Sequence, residues 1–201
     1  IRDSKLVAGG SITVTDGGDG NGWGVESTGA GNILLDSRGT NLDVSAGIRS
    51  VGGHITLLAS NDVTTSDLVI TSGAGSIYVN AIAGNLTNNA NIQSQTGNIL
   101  LRAGIDVNIN GLVSNQANIG VVAVGDINQS GNVTATNNIV FDAGRDINLG
   151  LVDATNVGLN AGRNIVDGNG AALNIDATNA SLRAGGLIGN SDLASVDPGS
   201  N

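Results

Sequence analysis

The feature that most constrains this chain is a short phrase that keeps returning along it. The copy Ile99-Leu100-Leu101-Arg102-Ala103-Gly104-Ile105-Asp106-Val107 is followed by others at Ile119 to Ile127, Ile139 to Ile147 and Val157 to Ile165. Each runs apolar, any, apolar, any, Ala, two loose residues, Asp or Asn, apolar. These copies start 20, 20 and 18 residues apart (119−99, 139−119, 157−139). Going backwards, Ile77, Ile55 and Ile33 open copies at steps of 22 (99−77, 77−55, 55−33). Ile12, 21 residues before Ile33, reads as one more start through Ile12-Thr13-Val14-Thr15. A degenerate copy closes the series at Ala180-Ser181-Leu182-Arg183-Ala184. Self-similarity at a near-constant period of this length signals a solenoid.

Inside each copy the apolar residues alternate with period two. Ile119, Val121 and Ala123 point one way, and Val133 and Ala135 do the same in a later strand of the same coil. An amphipathic helix would need apolar residues at i, i+3 and i+4 instead. Gly, Asn, Thr and Val dominate, which agrees with strands and corners rather than helices. The expected fold is therefore all-β: a right-handed parallel β-helix of about 8–9 coils of ~18–24 residues. Parallel crossovers are overwhelmingly right-handed. At about 4.8 Å per rung the rod would be roughly 40 Å long. The column Ile33, Ile55, Ile77, Ile99, Ile119, Ile139 and Val157 is the predicted core stack.

Asp62, Asn85, Asp106, Asp126, Asp146 and Asn164 recur at one corner of successive coils. Gly and Asn tolerate positive φ, and a short Asx side chain can bond backbone N–H groups freed at a corner. Stacking would bring the carboxylates of Asp106, Asp126 and Asp146 together at one-rung spacing, where like charges repel. Either they face water and accept backbone N–H groups, which is the favoured reading, or a cation sits among them.

Composition supports a thin tube. The chain has 32 glycines, one proline and three aromatic residues, Trp23, Tyr78 and Phe141. A core without aromatics has to be narrow and aliphatic. The formal charge of −9 argues against nucleic acid and anionic lipid as partners. The lack of Cys removes disulfides and thiolate metal sites, and no apolar run is long enough to span a membrane. Residues 1–190 read as one repeat array, with 1–30 an irregular first coil and 191–201 a loose polar tail. The abrupt start and polar finish suggest a segment of a longer protein.

Two stretches leave the pattern. Residues 16–24 are glycine-rich and resemble one turn of a calcium-binding nonapeptide repeat, with Asp16, Asp19 and Asn21 as candidate ligands. Their spacing is wrong for that repeat and nothing recurs nine residues on, so a loop leaving the tube is the favoured reading and no cofactor is expected. Trp23 beside it reads as a cover for the loop or the tube's end, ahead of a sugar platform. Asp167-Gly168-Asn169-Gly170 reads as an insertion loop, after which Leu173, Ile175 and Ala177 restore a strand and Leu182, Ala184, Leu187 and Ile188 form a last rung.

The phrases GNILLRAGIDVNI, NNIVFDAGRDINL and NVGLNAGRNIVD resemble the repeats of filamentous haemagglutinin-like exoproteins, the giant adhesins exported by two-partner secretion in Gram-negative bacteria. The likeness covers about Ile33 to Ile188. It implies a β-helical shaft on the cell surface or in the secreted fraction, acting in adhesion, biofilm or fibre building. It implies no catalytic residue. Expected partners are adjoining repeats or further copies end to end, with surface glycans or neighbour-cell receptors as ligands.

The competing reading is a carbohydrate-binding or polysaccharide-degrading β-helix. Paired carboxylates serve that chemistry, and stacking offers Asp126 with Asp146 or Asp142 beside Asp146, with Arg145 and Arg163 close by. All of these belong to the repeat phrase, which explains them without catalysis, so no enzyme is expected. The single histidine, His54, precedes a strand and reads as a solvated corner residue.

Overall fold

The computed structural model describes residues 3–189. The expected tail at 191–201 lies outside the described residues. The chain is all-β, a solenoid of about eight turns with no helix among the described residues. The first coil holds β1 (Ser4–Ala8), β2 (Ile12–Val14) and β3 (Trp23–Ser27). The next two hold β4 (Ile33–Ser37), β5 (Leu42–Val44) and β6 (Gly47–Ser50), then β7 (Ile55–Ala59), β8 (Val63–Thr65) and β9 (Val69–Thr71). Then come β10 (Ile77–Ala81), β11 (Leu86–Asn88) and β12 (Ile92–Ser94), followed by β13 (Ile99–Ala103), β14 (Val107–Ile109) and β15 (Val113–Asn115). The sixth coil is β16 (Asn118–Ala123), β17 (Ile127–Gln129) and β18 (Val133–Ala135). After β19 (Asn138–Ala143) and β20 (Ile147–Leu149), the strands β21 (Val152–Ala161) and β23 (Ile175–Ala184) each run through a corner without a break, with β22 (Ile165–Asp167) between them.

Every ladder is parallel, and all but β3 with β6, which slips by one residue between Trp23 and Val25, stay in register with the coil below. Ile33 pairs with Ile55, Ile55 with Ile77, Ile77 with Ile99, and so on to Val157. Stacking builds three faces. The first and third strands of the coils join through β21 into one 15-stranded sheet, and the middle strands form an 8-stranded sheet. From β4 to β20 alternation is clean: Ile, Leu and Val on the inner face of each strand are buried, and in most strands their neighbours are less so. The core is a set of apolar columns, aliphatic but for the buried Phe141, one being Leu35, Leu57, Val79, Leu101, Val121, Phe141 and Leu159, so one aromatic does enter the core. Each fully buried aliphatic contributes about 2 kcal/mol.

The first coil departs from the sequence reading. Ile12 does not stack under Ile33. It pairs with Leu42 on the middle face, and Ser4 occupies the place below Ile33. The glycine-rich loop lengthens the first coil to 29 residues (33−4), and this extra length defeats counting by period. Leu6, on the inner column of β1, is 49% exposed because no described strand lies beneath it. At the other end Leu173 is exposed and outside any strand, contrary to expectation, whereas Ile175, Ala177, Leu182 and Ala184 pack against the core. Ile188 makes a single parallel bridge to Ile165.

The reason for the corner glycines is also corrected. Among the described residues positive φ occurs only at Gly18, Gly20, Gly22, Gly170 and Gly189, all in loops. At the Asp/Asn corner a Cβ on Gly104 or Gly144 would lie 2.3 or 2.0 Å from the carbonyl oxygen of Ile82 or Val124 one coil below. At the corner between the third and first faces Gly53, Gly75 and Gly97 form a column in which a Cβ would lie 1.9–2.1 Å from the carbonyl oxygen of the glycine one coil below. Close approach of stacked backbone excludes a side chain there; handedness of φ plays no part.

Candidate functional site

The predicted Asx column is assembled as a ladder of backbone caps. Asp62 Oδ1 accepts the N–H of Asn85 at 2.8 Å, and Asn85 Oδ1 accepts that of Asp106 at 3.2 Å. Asp106 Oδ1 then takes the Asp126 N–H at 2.7 Å, Asp126 that of Asp146 at 2.9 Å, and Asp146 that of Asn164 at 2.9 Å. The ladder begins one coil before the sequence reading, with Asn41 accepting the Asp62 N–H at 3.2 Å, and ends with Asn164 accepting the Leu187 N–H at 2.9 Å. Each side chain reaches one rung up and satisfies a donor that the corner takes out of the sheet. Only an oxygen on a short side chain fits both distance and direction, which is why Asp and Asn interchange freely here.

The stacked carboxylates use both solutions offered by the sequence. They accept backbone N–H groups, and their cations are two arginines of the same chain. Arg145 donates from Nε and Nη2 to Asp126 at 3.1 and 2.8 Å and from Nη2 to Asp106 at 3.1 Å. Arg163 pairs with Asp146 and stands 3.8 Å from Asp126. Hydrogen bonding to Asp126, then its charge, raises the Arg145 pKa further above its ordinary value. Both guanidinium groups are about half exposed, so these pairs neutralise repulsion more than they add stability.

Sequence reasoning missed a second ladder at the residue just before the repeat phrase. Asn32 Oδ1 accepts the His54 N–H at 2.9 Å, and His54 Nδ1 accepts the Ser76 N–H at 3.0 Å. His54 is therefore a corner residue, as expected, with a capping role. From Asn98 the ladder becomes an amide stack, with Asn118, Asn138, Asn156 and Asn179 each donating Nδ2 to the Asn one coil below. A shorter stack joins Asn108, Asn128 and Asn148 on the middle face. The signal was present as a polar residue preceding Ile99, Ile119, Ile139 and Val157, all Asn.

The calcium candidates serve their own loop. Asp16 Oδ1 accepts the Gly18 N–H, Asp19 accepts the backbone and side-chain N–H groups of Asn21, and Asn21 Oδ1 accepts the Trp23 N–H. Trp23 lies over Gly47, where a Cβ would be 2.5 Å from the ring, and the Arg49 guanidinium sits 5.3 Å from its centroid. Arg49 also pairs with Glu26 at 2.8 Å. The indole thus covers the start of β6.

Of the carboxylates paired as catalytic candidates, Asp126 and Asp146 are neighbours that share Arg163, both engaged in capping, and Asp142 stands apart from them. Asp142 lies on the outer face of β19 and accepts Asn160 Nδ2 at 2.7 Å, while Asp126 and Asp146 stay in the corner ladder. An unforeseen groove of about 340 Å³ is lined by Ser130, Asn132, Leu151, Asp153, Leu173 and Asp176, among others. Its wall is the insertion loop, tied down by Asn174 Nδ2 to Leu149 O and by Asp167 Oδ1, which accepts the Asn169 and Gly170 N–H groups. The Asn169 N–H, then the Asn174 amide and the Gly170 N–H, hold the Asp167 carboxyl below its ordinary pKa. Compared with protein-family models, with curated proteins and with solved structures, the chain gives no match.

Proposed function

We propose that this chain is a shaft segment of a bacterial surface or secreted adhesin-type protein, a structural rod rather than an enzyme. The observation that supports this most directly is the unbroken stacking from β1 to β23, with Asp106, Asp126, Asp146, Arg145 and Arg163 of the repeat phrase committed to holding one coil on the next. Solenoids extend by adding coils without changing the contacts already made, so they suit reach and display. The resemblance of the repeat phrases to filamentous haemagglutinin-like exoproteins points to a Gram-negative outer surface, in adhesion or fibre building. End-to-end continuation would cover the exposed inner column at Leu6. Electron microscopy of cells and secreted fraction, with an antibody raised to this segment, tests the reading. Labelled thin rods are the expected result; labelled compact particles, or label confined to the cytoplasm, overturn it.

A carbohydrate-binding reading is favoured by one feature, the groove beside the insertion loop. Asp153 and Asp176 are register partners on adjacent strands there, with Asn132, Ser130 and Leu151 nearby. Hydroxyl-accepting carboxylates beside an aliphatic floor suit a sugar ring. Glycan-array binding lost in Asp153→Asn with Asp176→Asn supports this reading, and an array without signal removes it.

A further inference from the structure

The outer surface of the first face is unlike the other two. Its strands carry two outward columns. One runs Leu34, Thr56, Tyr78, Leu100, Gly120, Val140, Gly158, Ser181; the other runs Asp36, Leu58, Asn80, Arg102, Val122, Asp142, Asn160, Arg183. The middle face presents Asp43, Thr64, Thr87, Asn108, Asn128 and Asn148 instead. Leu100 and Val140 are 37% and 51% exposed, and at the strand ends Ile82 and Val124 reach 57% and 69%. Among the described residues Arg102 has no ion-pair partner.

We propose that this face binds the same face of a second copy, with the two rods antiparallel and related by a two-fold axis lying along β16. Such an axis sets each strand against the one equally far on the other side of β16, and each outward column against itself. Leu100 then meets Val140, and Arg102 meets Asp142. Tyr78, the largest outward side chain of its column, meets Gly158, and Asn80 meets Asn160. Gly120, Val122 and Val124 meet their own copies, and Ile82 meets Gly162. From β10 to β21 apolar residues meet apolar or small ones and Arg102 meets an anion. At the ends of the overlap β7 meets β23, which sets Thr56 against Ser181 and Leu58 against Arg183, a second cation without an ion-pair partner among the described residues. The Asn column before the strands supplies a polar rim, Asn98 against Asn138 and Asn118 against itself. Parallel rods would instead set one column against the other, placing Leu100 on Arg102 and Val140 on Asp142. The complementarity therefore selects the antiparallel pair.

Overlap runs from β7 to the end of β23. Seven strands about 4.8 Å apart and five residues of about 3.3 Å give roughly 600 Å² of face per partner. That places the pair at the low end of stable interfaces, about 1,200 Å² in total. The expected dimer is reversible. This inference is independent of end-to-end continuation, which uses the strand edges.

Sedimentation equilibrium of the full chain and three variants tests it. Gly158→Arg leaves the isolated rod intact, since a Cβ there meets only Val140 Cγ2 at 3.8 Å, but fills the notch opposite Tyr78. Arg102→Asp sets two carboxylates against each other, as Arg102→Asp with Asp142→Arg does not. The expected result is a monomer–dimer equilibrium weakened about tenfold or more by each of the first two changes and restored by the combined reversal. Val122→Cys, on the axis in a chain without cysteine, should form a covalent dimer on mild oxidation, and Thr64→Cys on the middle face should not. A chain that stays monomeric at its highest soluble concentration overturns the proposal and leaves the face to a different occupant. So does a dimer indifferent to Gly158→Arg, or one that the combined reversal fails to restore.

Discussion

The coils before β15 and those after it solve the corner between the third and first faces in opposite ways. Before β15 the corner is long: residues 51–54, 72–76 and 95–98 lie between the flanking strands. Its backbone folds close to the coil below, so Gly53, Gly75 and Gly97 are required, and its polar groups are met from inside. Ser94 Oγ donates to Gly75 O at 2.8 Å and accepts the Gly97 N–H at 3.0 Å, and Ser50 does the same for Gly31 and Gly53. After β15 the corner shrinks to residues 116–117 and 136–137 and then vanishes inside β21. The inward position changes one coil later, from Ser50, Thr71, Ser94 and Asn115 to Ala135 and Ala154; Asn115, at the first short corner, still donates to Gly97 O and Asn118 O. A buried hydroxyl is stable only where a buried backbone group needs it. Straightening of this corner supplies part of the change in repeat length from 22 to 20 to 18; the corner before β14 and the corner between β20 and β21 each give up one residue as well.

This contrast can be broken most sharply at glycine. Gly75→Ala forces a methyl against the Gly53 carbonyl, 1.9 Å away, and should cost about 3 kcal/mol or more. Gly158→Ala, with 3.8 Å of room, should cost little in the same urea titration. Equal losses would remove close approach as the reason for the glycine column. Next in size is the inward hydroxyl. Ser94→Ala strands a buried carbonyl and a buried N–H, a loss of about 2 kcal/mol. The reciprocal Ala135→Ser should not stabilise, because the short corner leaves no such pair to meet.

The Asx ladder crosses both regions and should respond alike in each. Asp126→Ala removes the acceptor of the Asp146 N–H and should cost about 1 kcal/mol, with faster amide exchange at Asp146. Asp126→Asn keeps the acceptor, as Asn85 does, and should alter mainly the salt dependence. A larger loss for Asn than for Ala would mean that charge, not capping, maintains the corner. The smallest effect concerns acid. Asp167 has a folded pKa below its unfolded value, so its contribution is present above the unfolded value and fades as pH falls through the folded one. Asp167→Asn should flatten the acid limb of the stability profile at the insertion loop and leave β4 to β15 unchanged, read by hydrogen exchange.

Much of the corner ladder was legible because its residues recur at the repeat period, and Asp62 to Asn164 could be named from spacing alone. Its cations were not, since Arg145 reaches Asp106 across 39 residues of sequence. The amide stack from Asn98 to Asn179 went unread because Asn is common throughout the chain. The groove at Asp153 and Asp176 depends on where an irregular loop comes to rest, which no period reports.

The sequence by itself determined the solenoid, its three-strand coil and its inward residues. Period-two alternation within a fixed longer repeat leaves parallel stacking as the arrangement that buries every copy in the same way. The tertiary structure alone decided the register of the first coil, the need for particular glycines and the pairing of arginines with carboxylates. These depend on contacts between neighbouring coils, where one loop of irregular length shifts every partner and a carbonyl oxygen of the coil below can close the space that a side chain would fill.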